Sequence, residues 1–246
     1  MSLRMTVMSG TANTVKTSPH WGFELKQATY DEACRVLENI RKAGAHEPVD
    51  QLAREAGQAV TLLTEAGFQG YYHRPTEIVP LPAMAKKTAD TGIRGIEKAI
   101  GFVIGQFFKK RTADELAQLA DYLETMLHHN YEAKSHHLVF PISDDLHERA
   151  LTLISKVQND PHPRASLDLI VATLSELVTE SIDAYYLQPT AMVSIGSITR
   201  KTADMSVKGV GSGVRGLIDK LVRQLTDEQL KALSYYLESM IHDRSL

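Results

Sequence analysis

The sequence predicts an all-α protein formed by tandem duplication of a roughly four-helix bundle unit, with the two copies related by a pseudo-two-fold axis. Three motifs recur 114 residues later: Tyr71-Tyr72-x-x-Pro75-Thr76, Lys87-Thr88-Ala89-Asp90 and Tyr122-Leu123-Glu124, with counterparts starting at 185, 201 and 236. The window 71–128 is identical to the window 185–242 at 19 of 58 positions. Repetition at one fixed spacing is typical of a duplicated fold unit.

The first two helices of each copy are predicted from their caps and apolar faces. Thr29 and Ser143 are the expected N-caps of the first helix, because each precedes an acidic residue two positions further on. A longer helix is expected at about 49–72 and again at about 165–187, where apolar residues recur at helical spacing. Pro75 and Pro189 cannot continue it. We expect the offset of 114 to hold from the first cap to the end of each copy.

Two further helices complete each copy. After an irregular connection, Thr88 and Thr202 cap a third helix or lie near its start. Thr112 and Thr226 begin the last helix with capping boxes and acidic first turns. In this helix we expect Leu123 and its counterpart Leu237 to be core residues. No segment alternates apolar and polar residues clearly enough to be predicted as a strand, so the prediction contains no sheet.

The expected domain organisation follows from the repeat. Residues 1–27 are predicted to be an N-terminal arm, largely disordered, in which Trp21 anchors the chain to the bundle. Residues 28–129 form helical repeat 1, residues 130–141 a linker, and residues 142–246 helical repeat 2.

Composition narrows the class of protein. The 246 residues carry a net charge of −3, are 43% apolar and include a single cysteine, Cys34, whose counterpart at the 114-residue offset is Glu148. One cysteine excludes an internal disulfide framework and favours a reducing compartment. No run reaches the ~18 apolar residues of a membrane span. We therefore expect a cytoplasmic protein with no membrane partner.

The polar residues that recur in both copies are the candidate ligand site. Lys87, Thr88 and Asp90, with Lys201, Thr202 and Asp204, would bind an anion if they lay at a helix start, where free N–H groups and the helix dipole favour negative charge. Tyr72 and Tyr186 end the preceding helices and are candidates for the same cleft. The alternative is that these residues only cap helices, pack or meet solvent.

The helices that contain these motifs are the basic part of the chain. Between 86 and 111, seven Lys or Arg oppose two acidic residues, a net charge of +5; between 200 and 223, six oppose two, a net charge of +4. Two such stripes could follow nucleic-acid phosphates.

The same helices contain interior glycines. Because Gly95 and Gly209 are kept at the same place, we expect each to touch another helix too closely for a Cβ atom.

Weak candidates for a metal site are Glu124, His128, Glu238 and His242, which would meet if the two copies face each other. A local Glu–His pair near a helix end is the simpler interpretation.

No metal and no cofactor is predicted, and no catalytic residues are assigned. The leading hypothesis is a non-catalytic regulatory or adaptor protein that binds a protein partner, or itself, through paired surfaces. Alternatives are a nucleic-acid or phosphate-ligand binding protein and an enzyme of unassigned chemistry.

Overall fold

The structure of the chain is a computed structural model that describes residues 17–43 and 49–245. We call residues 17–130 the first half and residues 135–245 the second half. The first half contains Thr17–Leu25 (β1), Gln27–Lys42 (α1), Val49–Phe68 (α2), a π-helical turn at Gln69–His73, Arg74–Ile78 (α3), Ala83–Phe107 (α4), Ala113–Met126 (α5) and Leu127–Asn130 (β2).

The second half repeats this order. It contains Ser135–Pro141 (β3), Asp144–Asn159 (α6), a 3₁₀ turn at Pro163–Ser166, Leu167–Ile182 (α7), a π-helical turn at Asp183–Leu187, Gln188–Ala191 (α8), Ser197–Val222 (α9), Asp227–Glu238 (α10) and Ile241–Ser245 (β4). The predicted helical character is confirmed, and each half has four longer helices.

The prediction of a protein without a β-sheet was wrong. Four antiparallel strands lie in the order β2-β3-β1-β4. Strand β1 falls in the segment expected as an N-terminal arm, and β3 falls in the expected linker. The rest of that arm, residues 1–16, lies outside the described residues, and the predicted domain boundaries stay a prediction. In β1 a usable signal was present, because Trp21, Phe23 and Leu25 alternate with less apolar residues at the strand period of two.

Three of the predicted N-caps are confirmed, and three predicted capping residues lie inside their helices. The Ser143 hydroxyl accepts the Leu146 N–H, and capping boxes at Thr112 and Thr226 are complete. Thr29, however, lies inside α1, which begins at Gln27. Thr88 and Thr202 lie in the second turns of α4 and α9, where each hydroxyl donates to the carbonyl four residues earlier. These threonines bond to the preceding turn and are not caps.

The offset of 114 does not extend to the first helix. Helices α1 and α6 both have 16 residues and begin at 27 and 144, an offset of 117. Residues 43–48 connect α1 to α2, whereas only 160–162 separate α6 from the next turn, so the first half is three residues longer there. Cys34 therefore corresponds to Leu151 rather than to Glu148, and Phe23 corresponds to Phe140. The motifs after this connection were aligned correctly.

The two halves meet along β1 and β3, where Gly22 faces Val139. A Cβ atom on Gly22 would overlap the Leu138 carbonyl oxygen and would lie 2.6 Å from the Val139 Cα atom. Val139 itself has no exposed surface. The strands approach too closely here for any side chain at position 22, so the residue type sets the spacing of the central strand pair.

The helices pack in matching layers in both halves. Helix α1 contacts β3 and α6 contacts β1; α1 and α6 then contact α2 and α7, which contact α4 and α9. Helices α4 and α9 run antiparallel, since Gly92 of α4 meets Leu217 of α9 and Ile96 of α4 meets Gly213. The expected close contact at the other glycines was wrong: Gly95 and Gly209 are exposed, and a Cβ atom at either position would meet no non-local atom within 4 Å.

These glycines give a matched pair of substitutions. We expect Gly22→Ala to lower the free energy of unfolding by at least about 2 kcal/mol, because the new Cβ forces two backbones apart. Gly95→Ala should raise it by about 0.5–1 kcal/mol, because alanine has the higher helix propensity and meets no obstacle. Urea denaturation of both variants checks the two signs. A neutral Gly22→Ala variant would contradict the close strand contact.

Candidate functional site: an apolar cavity

A cavity of about 540 Å³ lies between the sheet and the long helices α4 and α9. Both halves contribute to its wall, and none of the described residues that line it carries a charge. Its volume falls in the range of about 300–1,000 Å³ that is typical of small-molecule sites. The cavity is therefore the candidate site.

The cavity divides the hydrophobic core. The buried apolar side chains form four separate clusters, and members of all four line the cavity. Leu123 and Leu237, expected as core residues, are half-buried: they pack against the largest cluster and also face the cavity. A core of this size is usually one contiguous cluster, so the open space accounts for the division.

The two π-helical turns bring a pair of tyrosines to the cavity wall. Tyr71 and Tyr185 occupy the same position in their turns, and their rings meet Phe23 and Phe140 edge to face at centroid distances of 5.0 and 5.3 Å. They expose 39% and 37% of their surface. Both side chains line the cavity, and burial is the main cause that raises the pKa of their hydroxyls.

Each half holds the π-helical turn of the other. The Tyr122 hydroxyl donates to the Ala184 carbonyl at 2.8 Å, and the Tyr236 hydroxyl donates to the Gly70 carbonyl at 2.7 Å. Both carbonyls lie within the π-helical turns, where the regular helical ladder is interrupted. Tyr122 and Tyr236 were not among the predicted site residues, although their recurrence at a spacing of 114 residues was the available signal.

The neighbouring tyrosines fix the turns to the long helices. Tyr72 and Tyr186 donate to Asp90 and Asp204, both at 2.7 Å. Burial, and then the bond to the carboxylate, raises the pKa of each phenol. The structure thus brings together four of the predicted site residues, as two Tyr–Asp pairs. Each pair joins a π-helical turn to a long helix, so these four residues position the wall of the cavity.

The remaining residues of the predicted anion site lie outside these pairs. Lys87 and Lys201 are exposed, and Thr88 and Thr202 bond within their own helices. The four-residue motif starts at the fifth residue of each long helix, so the free N–H groups of the helix start are not beside it. The helix-dipole argument for an anion there is removed. Anion binding by the lysines stays a prediction.

The weak metal candidates separate into helix and sheet residues. Glu124 pairs with Arg41, and Glu238 accepts from Gln158. His128 and His242 lie on β2 and β4, beyond the ends of the last helices, so the predicted pairing of Glu and His at helical spacing does not form. Within residues 17–43 and 49–245, no group of three or more His, Cys, Asp or Glu residues is arranged to hold a metal ion.

The sheet nevertheless gathers histidines on one face. His128 pairs with His137 in the β2–β3 ladder, and His20 pairs with His242 in the β1–β4 ladder. The rings of His137 and His242 lie 4.5 Å apart, centroid to centroid. Burial lowers the pKa of His137, and burial together with the three neighbouring histidines lowers that of His242 to about 4.

Comparison with known proteins gave no relative: no protein-family model, curated protein or solved structure matches the chain. Function is therefore argued from the geometry alone. None of the helices in the described segments is long and apolar enough to span a bilayer.

The histidine face predicts a pH dependence of stability. The pKa of His242 is lower in the fold than in the unfolded chain, so its neutral form stabilises the fold above about pH 6.5, and this contribution is lost as the pH falls towards 4. Allowing for partial exposure of the ring, we expect a loss of about 1–2 kcal/mol from this residue over that interval.

Urea denaturation at both ends of this pH interval measures the effect. His242→Gln should flatten the dependence, whereas His162→Gln, which changes an exposed histidine, should leave it as in the parent. An unchanged slope in His242→Gln would show that this ring does not carry the acid sensitivity.

Proposed function

We propose that the protein is a non-catalytic binding protein for an apolar small molecule, which occupies the cavity beside Tyr71 and Tyr185. The observation that carries the proposal is the volume of about 540 Å³ with no charged residue among its described lining. Leu, Ile, Val and Phe side chains dominate the wall, and such a wall favours a ligand that brings apolar surface out of water.

The energetic cost of leaving the cavity empty supports the proposal. Enclosed cavities in protein cores cost about 24 cal/mol per Å³, so about 13 kcal/mol is an upper bound for an empty space of this volume, which is partly open to solvent. The total stability of a typical domain is only about 5–15 kcal/mol. Water does not fill an apolar cavity favourably. A ligand that fills the space would remove much of this cost, and binding would then stabilise the fold.

The chemistry of the wall favours binding over catalysis. General acid–base catalysis needs groups whose pKa lies near the working pH. The phenols at the cavity have pKa values above the usual 10, since burial disfavours the phenolate. A phenol that keeps its proton can orient a ligand by hydrogen bonding. The alternative of an enzyme finds no support in these residues.

A tandem duplication would explain why both halves contribute to the wall. The element order repeats, the π-helical turns recur at 69–73 and 183–187, and the tyrosine bonds recur at the same offset of 114. We infer that the two halves derive from one unit and that a pseudo-two-fold axis passes between Gly22 and Val139. The expected cytoplasmic location and the expected protein partner or self-association stay predictions of the sequence.

Binding of a neutral apolar fluorophore tests the proposal. We expect N-phenylnaphthylamine to bind the parent protein saturably, with a Kd of the order of 1–10 μM, and to raise the melting temperature. Val178→Trp, which places an indole at a half-buried position of the cavity wall, should weaken binding at least tenfold.

The control variant also introduces a tryptophan on α7, but outside the cavity. Ala172 lies on the exposed side of α7, so Ala172→Trp adds an indole outside the cavity and should leave binding unchanged. The proposal is wrong if the parent shows no saturable binding, or if both tryptophan variants lose it equally.

Nucleic-acid binding is the second candidate. The antiparallel packing of α4 and α9 places their basic stripes on neighbouring helices, and Lys87, Arg94, Lys98, Lys201 and Lys208 are all exposed. Phosphate contacts by such residues are independent of base sequence and weaken with salt. The net charge of −3 for the whole chain limits this attraction to the stripe.

Heparin chromatography and DNA binding at low salt test this candidate. If the stripe binds phosphates, Lys87→Ala combined with Lys201→Ala should weaken binding to every sequence and reduce the salt dependence. A double substitution of Lys26 and Lys231, which lie outside α4 and α9, is the charge-matched control. No binding by the parent protein at about 50 mM salt would end this candidate.

A further inference from the structure

We infer that the ligand of the cavity is an uncharged molecule with one oxygen acceptor, a carbonyl or a hydroxyl, and that this oxygen binds at Tyr71 and Tyr185. The inference rests on the proposed function and adds the chemical class of the ligand. Two independent observations carry it: the complete lack of charge in the described lining, and the placement of the two phenols at the cavity wall.

The lining excludes an ionised ligand on energetic grounds. A carboxylate or a phosphate that enters an apolar interior loses its hydration, and this loss is recovered only where a cation or several donors meet it. No Lys, Arg or His is among the described residues that line the cavity. The lysines of α4 and α9 are exposed on the outside of the bundle, as their accessible side chains show. A fatty acid anion would therefore lack a counter-charge.

Three pairs of tyrosines, each with one member in either half, differ in the groups that their hydroxyls meet. Tyr72 and Tyr186 donate to carboxylates, and Tyr122 and Tyr236 donate to backbone carbonyls. Tyr71 and Tyr185 also line the cavity, where they are neighbours of each other and Trp21 is a neighbour of Tyr71. Two phenols carry two protons, and a bond between them would use only one. An O–H donor is therefore free to meet an acceptor in the cavity.

The position of the pair sets the orientation of the ligand. The rings of Tyr71 and Tyr185 pack on Phe23 of β1 and Phe140 of β3, so their hydroxyls belong to the wall nearest the sheet. The opposite wall contains aliphatic residues of the long helices, including Ile96 and Val210. An oxygen bound at the phenols would leave the apolar body of the ligand directed towards α4 and α9.

Three compounds with the same alkyl chain separate the possible ligand classes: decane, decanol and decanoate. Each is titrated against the parent protein with bound N-phenylnaphthylamine, at about pH 8, where a carboxylic acid is ionised. We expect decanol to bind about tenfold more tightly than decane, because a hydrogen bond forms in a dry site. Decanol should also bind at least tenfold more tightly than decanoate, because the anion is desolvated without a partner.

Removing the hydroxyls tests the assigned residues. In the double variant Tyr71→Phe with Tyr185→Phe, we expect decanol to lose its advantage over decane while decane binding is retained. The double variant Tyr131→Phe with Tyr235→Phe removes two exposed hydroxyls and should bind like the parent. If the first double variant does not fold, as judged by its thermal melt, the single variants Tyr71→Phe and Tyr185→Phe give the same comparison.

The outcomes distinguish this inference from the proposed function. Binding of decanoate as tight as that of decanol would overturn the neutral-ligand inference and leave the apolar binding function intact. An advantage of decanol that survives removal of both hydroxyls would overturn the role of Tyr71 and Tyr185. Failure of all three compounds to displace a bound fluorophore also overturns the inference, whereas a parent protein that binds no fluorophore overturns both proposals.

Discussion

The close contact between Gly22 and Val139 is the constraint on which the rest of the structure depends. It sets the distance between β1 and β3, the only two strands of the described sheet with neighbours on both sides. Phe23 and Phe140 directly follow Gly22 and Val139 on the two strands, and their rings support Tyr71 and Tyr185. A cavity shared by two halves needs a rigid junction between them, and antiparallel backbone pairing without an intervening side chain provides it.

Around the cavity, directional bonds replace part of the packing that a filled core would supply. Tyr122 and Tyr236 each cross from one half to a carbonyl in the other, and Tyr72 and Tyr186 connect the π-helical turns to the long helices. Each hydrogen bond contributes only about 1 kcal/mol to stability, far less than the cost of the open volume. Their main effect is to fix geometry. They hold the wall in one shape, which a binding site requires and which dispersion contacts alone specify poorly.

The sequence predicted the helices well because their signals are local. Capping boxes at Thr112 and Thr226 and the repeated tyrosine motifs determine structure within a few residues. The sheet was missed because histidine and glycine interrupt its strands, and because the two pairings of β1 join residues more than 110 positions apart. Tyr72 and Tyr186 were predicted as ligand-site residues; the structure pairs them with Asp90 and Asp204, and a ligand at these residues stays a prediction. The cavity had no sequence signal, since residues that line a void and residues that fill a core have the same apolar composition.

The place of β1 between β3 and β4 has a consequence for synthesis on the ribosome. This strand, at residues 17–25, is made before either of its partners, which end at residues 141 and 245. Until β3 is made, both edges of β1 are unpaired on the nascent chain, and one edge stays unpaired until β4 is made. Such edges pair readily with other chains. The first half therefore cannot complete its fold before the second is made, and a truncated chain or a stalled ribosome would present an aggregation-prone segment. A chaperone that covers residues 17–25 would protect the nascent chain until β3 and β4 have been made.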